Sequence, residues 1–195
     1  MKLGAQSIPG LSYIQSYISP QEEALLLQQI DSSPWLNDLQ RRVQHYGYKY
    51  DYQTKSINHN HYLGELPDYL LNICKKMQQD QLIKKIPNQV IINEYQPGQG
   101  ISAHIDHTSF FDSTICSLSL GSACVMKFSN QSNSNQSREI EMLLEPMSLL
   151  ILTNEARYNW KHSIAPRKID KYEDNGSHKI IYRKRRVSLT FRNRI

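Results

Sequence analysis

The arrangement of apolar and polar positions changes character at about Pro87. Before it, apolar residues recur at helical spacing; after it, they come in short runs and alternations broken by turn residues. Ser19-Pro20-Gln21-Glu22 is a helix start, with Ser19 as N-cap, proline at the first helical position and Glu22 placed to close a capping box. Leu25, Leu26 and Ile30 give this helix an apolar side, and Pro34-Trp35 marks its end. Leu70, Leu71, Cys74 and Met77 predict a second helix from about Pro67 to Gln79. Strands are predicted at roughly 89–96, 114–120, 123–129, 138–144, 148–153, 158–164 and 186–192. Two helices followed by many short strands imply an α+β, mainly β chain, an antiparallel double sheet backed by N-terminal helices. No internal repeat or domain boundary is visible, and 195 residues suit a single domain, residues 1–195, with a sizeable core. The Ser/Asn/Gln-rich stretch 129–137 predicts a hairpin tip, and the polar, charged stretch 168–184 a flexible loop.

The last predicted strand has two unlike faces. Side chains alternate along a strand, so Val187, Leu189 and Phe191 share one face, and Arg186, Ser188, Thr190 and Arg192 share the other. The apolar face belongs to a core. Guanidinium is planar, permanently charged and binds carboxylates through two parallel hydrogen bonds. A small dicarboxylic acid laid along the polar face would be held at both ends. The plainer alternative is an amphipathic edge strand with its arginines in water.

Candidate metal ligands lie upstream. His104 and Asp106 stand two apart at a strand end, where both side chains point the same way, and His162 follows far downstream. Two imidazoles and one carboxylate on one face of an octahedron leave the opposite face open, which a non-haem Fe(II) oxygenase needs for co-substrate and dioxygen. In a chain with seven histidines a His-x-Asp pair is weak by itself. Together with the arginine strand it is specific, because 2-oxoglutarate is a dicarboxylate that chelates Fe(II).

Asn93-x-Tyr95 before Pro97-Gly98, then His104-x-Asp106, His162 and the pair Arg186 and Arg192 resemble the AlkB family of Fe(II)- and 2-oxoglutarate-dependent dioxygenases. The resemblance runs from Pro9-Gly10-Leu11 to the final strand. Arg41-Arg42-Val43-Gln44-His45-Tyr46-Gly47-Tyr48, Pro97-Gly98-Gln99-Gly100-Ile101 and Ser117-Leu118-Ser119-Leu120-Gly121-Ser122 are most similar to the branch that hydroxylates a modified wobble uridine in tRNA. It implies a double-stranded β-helix, or jelly roll, with Fe(II), 2-oxoglutarate and O2, hydroxylating or demethylating a modified or alkylated nucleobase in RNA or DNA. It further implies His104, Asp106 and His162 as iron ligands, and Arg186 and Arg192 on the far and near carboxylates of 2-oxoglutarate. Asn93 and Tyr95 would hydrogen-bond the co-substrate, with Ser188 and Thr190 as helpers. The family's repair enzymes carry an acidic residue two positions after the ligand aspartate, whereas here Thr108 stands there and the next acid is Asp112. Recognition of a cationic methylated base loses support unless Asp112 folds back, and the tRNA-like reading gains.

Residues 41–62 hold Tyr46, Tyr48, Tyr50, Tyr52 and Tyr62 interleaved with arginine, lysine and histidine. Aromatics stack on unpaired bases and basic residues hold phosphates, which suits a nucleotide-recognition lid at about 40–62 with Arg42, Tyr46 and Tyr50 on the substrate. A packed β-hairpin is the simpler account. The net charge of +5 and the run Arg183-Lys184-Arg185 favour an anionic partner, RNA ahead of DNA. Three cysteines without zinc-type spacing predict buried thiols in a reducing compartment. No signal-peptide pattern or membrane-length apolar run is visible, so a cytoplasmic monomer is expected. The rival readings are a 2-oxoglutarate oxygenase of a protein or small molecule, and a non-catalytic jelly-roll binding module.

Overall fold

A computed structural model describes residues 8–37, 40–54, 56–131, 137–174 and 176–195. In chain order the elements are β1 (Leu11–Ile14), α1 (Pro20–Asp31), β2 (Val43–Tyr46), α2 (Asp68–Gln79), β3 (Gln89–Tyr95), β4 (Ile101–His104), β5 (Ile115–Gly121) and β6 (Cys124–Gln131). They continue with β7 (Ser137–Leu144), β8 (Ser148–Leu152), α3 (Asn154–Tyr158), β9 (Lys161–Ile164), β10 (Ile169–Asp174), β11 (Ser177–Tyr182) and β12 (Arg186–Arg192). The capping box forms at α1: Ser19 Oγ accepts from the Glu22 amide at 3.2 Å, and the Glu22 carboxylate accepts from the Ser19 amide at 2.7 Å. The helix ends at Asp31, before Pro34 can break it.

Six strands form the larger sheet in the order β1-β8-β5-β12-β3-β2, and four form the smaller, β4-β9-β6-β7. This is the jelly roll with helices on one outer face. Both helices pack on the larger sheet, where Leu26, Ile30, Leu70, Cys74 and Met77 meet Val90, Ile92, Leu118, Leu149, Val187, Leu189 and Phe191 in one core. A second core lies between the sheets and joins Leu150, Leu152 and Ile115 to Met126, Phe128, Met142, Leu144 and Ile164. Alternation along β8 serves both, sending Leu149 and Ile151 to the first and Leu150 and Leu152 to the second, whereas β12 gives only Val187, Leu189 and Phe191 to the first. Buried Cys74, Cys116 and Cys124 are free thiols inside these cores, and burial pushes Cys74 and Cys116 up to about 12.

Three parts of the sequence reading change. The segment 168–184 is a hairpin, β10 paired with β11 from Ile169↔Tyr182 to Asp174↔Ser177, and not a loop. Its inner face is anchored by the buried carboxylate of Asp170, which takes hydrogen bonds from Arg183 at 2.6 and 2.7 Å, Arg167 at 2.6 Å and the Val125 amide at 3.0 Å. An ion cluster where apolar residues would normally sit leaves no hydrophobic alternation to read. The expected strand 158–164 begins only at Lys161, because α3 turns Ala156 and Arg157 inward together, which a strand cannot do with adjacent residues. The four-residue strands β1 and β2 are too short to announce themselves. The predicted tip at 129–137 falls within the β6–β7 hairpin, which pairs out to Gln131↔Ser137; residues 132–136 lie outside the described residues.

Candidate active site

The space between the sheets opens into a cavity of about 610 Å³. β12 lies between β3 and β5, so its register aligns the polar faces of three strands. Arg186 is opposite Tyr95, Ser188 opposite Asn93 and Ser119, and Thr190 opposite Ile91 and Ser117. Asn93, Tyr95, Arg186, Ser188, Thr190 and Arg192 therefore all line the cavity, with Ile91, Ile101, Phe111, Ile115, Met126, Leu150 and Ile164 forming apolar wall.

His104 ends β4 directly across from His162 on β9, and Asp106 follows two residues on. One ligand atom from each lies within 4.8 Å of the others. The Nδ1 of His104 is 2.8 Å from the Ser102 carbonyl. A proton on Nδ1 satisfies that contact and leaves the Nε2 lone pair available to a metal. His162 Nε2 is 3.7 Å from Asp106 Oδ2, and its buried Nδ1 has no hydrogen-bond partner among the described residues. Burial, reinforced by His104, lowers the His162 imidazole to about 4, so it is neutral at pH 7. Burial opposes ionisation of Asp106, yet Arg192, His162 and His104 together hold its carboxyl at about 2. Neutral imidazole and ionised carboxylate are the states a divalent cation binds.

The two strand arginines have different settings. Arg192 donates through Nη1 to the Asp106 carboxylate and through Nε to Gln89 at 2.7 Å. Arg186 donates through Nη2 to Ser119 at 2.8 Å, while its Nε is buried without a partner among the described residues. Tyr95 lies between two guanidiniums, Arg186 at 5.5 Å and Arg41 at 5.7 Å from its ring centre.

Arg157, which the sequence reading missed, fixes the metal loop. Only 2% exposed, it donates to the carbonyls of Asp106 at 2.8 Å, Phe111 at 3.1 Å, Asp112 at 3.2 Å and His107 at 3.3 Å. One planar fork thereby closes residues 106–112 into a loop behind the ligand carboxylate. The residue stands just N-terminal to Trp160 and His162 without an apolar or spacing signature, so no local pattern points to it.

The residues expected to form a lid divide. Tyr50 and Tyr52 line the cavity, their rings 5.2 Å apart, with Tyr50 6.4 Å from Phe111. Arg42 does not reach it: the side chain forms two bonds to Glu94, at 2.6 and 2.7 Å, and lies over Trp35. Its neighbour Arg41 points inward instead and donates to Asn93 Oδ1 at 2.9 Å. Tyr46 turns to the helix side, where it donates to Gln44 at 3.0 Å and meets Tyr69 edge-on. Asp112 also lies outside, with its carboxylate accepting from the Ser113 amide at 2.7 Å and standing 3.7 Å from Lys85. The basic run is largely absorbed too, since Arg183 binds Asp170 and Arg185 binds Glu94 and Asp31.

The profile of the 2OG-Fe(II) oxygenase superfamily matches residues 36–192. An uncharacterised protein of Acanthamoeba polyphaga mimivirus is 38% identical over 97% of this chain and 87% of its own length. The tRNA (carboxymethyluridine(34)-5-O)-methyltransferase alkbh8 of Xenopus tropicalis is 36% identical over 94% of this chain, which spans 31% of that protein. The alkylated DNA repair protein ALKBH8 homolog of Arabidopsis thaliana is 36% identical over 95% of this chain and 58% of its own length. Among solved structures, OsALKBH1 shares the fold with a TM-score of 0.64 at 15% identity, covering 95% of this chain and 97% of that one.

Proposed function

Because the chain belongs to the 2OG-Fe(II) oxygenase superfamily, in its AlkB branch, and so works with Fe(II), 2-oxoglutarate and O2, we propose that it hydroxylates a neutral or anionic modified base in RNA. In this reading His104, Asp106 and His162 hold the iron, with Asp106 ionised and His162 neutral. When bound, iron with its co-substrates supplies oxidation of a C–H bond, coupled to decarboxylation of 2-oxoglutarate to succinate. The chain's own residues bind and orient. Arg186, held by Ser119 with a buried donor to spare, takes the far carboxylate. Arg192 takes the near one while keeping Asp106 ionised and in place. Asn93, Tyr95, Ser188 and Thr190 supply further hydrogen bonds along the same face, and the apolar wall excludes water. Tyr50 and Tyr52 offer aromatic surface to the base at the lid side of the cavity.

The observation that carries the choice of substrate is the cavity's charge. Asp106 is the only carboxylate among the described residues that line it, against Arg41, Arg186 and Arg192. A cationic methylated base gains nothing there once Asp106 is committed to metal. The test is succinate formation with Fe(II) and 2-oxoglutarate, run alone, with bulk tRNA and with methylated single-stranded DNA. Stimulation by tRNA without formaldehyde is expected. Formaldehyde release would make the enzyme a demethylase, and stimulation by DNA alone would remove the RNA assignment.

A further inference from the structure

Among the described residues the outward face of the β10–β11 hairpin has no partner, and it is joined to the cavity rim. By register, Asp170 and its pair Ile181 face the smaller sheet, so Ile169 and Tyr182, Lys171 and Ile180, and Glu173 and His178 form three cross-strand pairs facing out. Tyr182 is 70% exposed and Ile180 60%, beside an exposed Ile169. This is an apolar and aromatic cluster at the base of the hairpin, the end nearest the cavity. At that end Arg183 donates to the carbonyls of Ala165 at 2.7 Å and Gln99 at 3.4 Å, and the Gly98 amide donates to the Arg167 carbonyl at 3.3 Å. Gln99, Gly100 and Ile164 line the cavity itself. The Lys168 side chain passes over Gly98 on the same rim.

We propose that this face, centred on Tyr182 with Ile169, Ile180, Lys168, Lys171 and Lys184, is a docking platform for the unpaired ribonucleotides that flank the base held in the cavity. The proposal deepens the RNA reading above and rests on it. Charge argues for the occupant. Exposed Lys171 lies on this face beside Ile180, and exposed Lys168 and Lys184 flank its base in the chain, against a single described carboxylate on the face, Glu173. An exposed tyrosine framed by lysines stacks a base and holds the adjoining phosphates. Rigidity argues for it too. The four bonds into Asp170 fix the hairpin from behind, so the platform is formed before RNA arrives and loses little freedom on binding. Contact outside the cavity would also explain how a base is chosen by its place in a polymer rather than by its own edges alone.

The experiment is fluorescence anisotropy with a labelled short single-stranded RNA and with bulk tRNA as competitor, on protein without metal or 2-oxoglutarate. Its result is thus independent of turnover. Tyr182→Ala is expected to weaken binding about tenfold, and Tyr182→Phe to retain wild-type affinity, because stacking needs the ring and not the hydroxyl. Replacing Lys168, Lys171 and Lys184 together by alanine is expected to lower the slope of log affinity against log salt by about 2. Wild-type affinity in all three variants overturns the platform and leaves the face to a protein partner. Failure of the wild type to bind RNA overturns it as well. Loss of binding in Tyr182→Ala supports it even if the succinate assay shows a different reaction, so the two readings fail separately.

Discussion

Arg192 donates to the carboxylate of Asp106 from a strand 86 residues further along the chain, which ties the arginine strand to the His-x-Asp segment. The contact has two effects. It contributes to holding Asp106 ionised at about 2 against the cost of its partial burial, and it fixes the direction in which the carboxylate faces His104 and His162. Among the described residues Arg186 has no such link, its partners being Ser119 and the ring of Tyr95.

The two arginines should therefore fail differently. Lysine cannot span Gln89 and Asp106 at once, so Arg192→Lys is expected to raise the KM for 2-oxoglutarate at least about tenfold and also to weaken Fe(II) binding. Arg186→Lys is expected to raise the KM alone. Succinate formation against 2-oxoglutarate concentration and Co(II) absorbance titration measure the two quantities. Equal metal affinity in both variants would break the proposed coupling.

Acid should destabilise the metal-free protein earlier than carboxylates alone would allow. His162 titrates at about 4 in the fold and near 6.5 when unfolded, so the unfolded chain binds more protons between those values. Stability is then lost as pH falls from about 6.5 to 4. Asp106 adds a second loss in the same direction, between its unfolded value of about 3.9 and its folded value of about 2. Denaturant unfolding at pH 7 and pH 5 should differ by about 2 kcal/mol from His162. His162→Gln should shrink that difference, and an unchanged difference would place the titration elsewhere.

Arg157 makes the loop 106–112 one unit, so its loss should reach the metal without touching it. Arg157→Met removes the donor shared by four carbonyls, of which, among the described residues, only that of His107 keeps backbone amides, and is expected to cost about 3 kcal/mol of stability. Arg157→Lys keeps the charge but loses the fork, and should recover part of the stability and little of the metal affinity. Urea unfolding and Co(II) titration on both variants separate packing from positioning. Full metal affinity in a folded Arg157→Met would reduce the residue to a packing role.

How far the sequence spoke depends on how local each signal was. The arginine strand was legible because alternation is a property of neighbours: Val187, Leu189 and Phe191 go to the helix-side core, and Arg186, Ser188, Thr190 and Arg192 to the cavity. The His-x-Asp pair was legible for the same reason, and the helix start at Ser19 because a capping box is contained in four residues. Arg157 was not, because its partners are backbone carbonyls on a loop some 45 to 51 positions away. Nor was the β10–β11 hairpin, whose buried face is an ion cluster. Asp112, expected beside the substrate if its loop folds back, faces away from the cavity. The loop does fold back, but Arg157 holds its carbonyls and leaves the carboxylate facing Lys85.

Adjacent residues Arg41 and Arg42 give the sharpest test of that last kind of error. On an extended segment neighbours face opposite ways, so a one-position shift exchanges a cavity-lining side chain for a structural one. Arg41 lines the cavity against Asn93, whereas Arg42 neutralises the buried Glu94 together with Arg185. Arg41→Ala should raise the KM for RNA several-fold and leave the unfolding free energy within about 0.5 kcal/mol. Arg42→Ala should do the reverse, costing about 1 to 2 kcal/mol because Glu94 keeps only one of its two guanidiniums, with little effect on KM. Steady-state kinetics with the stimulating RNA and urea unfolding of each variant decide it. Raised KM in Arg42→Ala with normal kinetics in Arg41→Ala would restore Arg42 to the substrate.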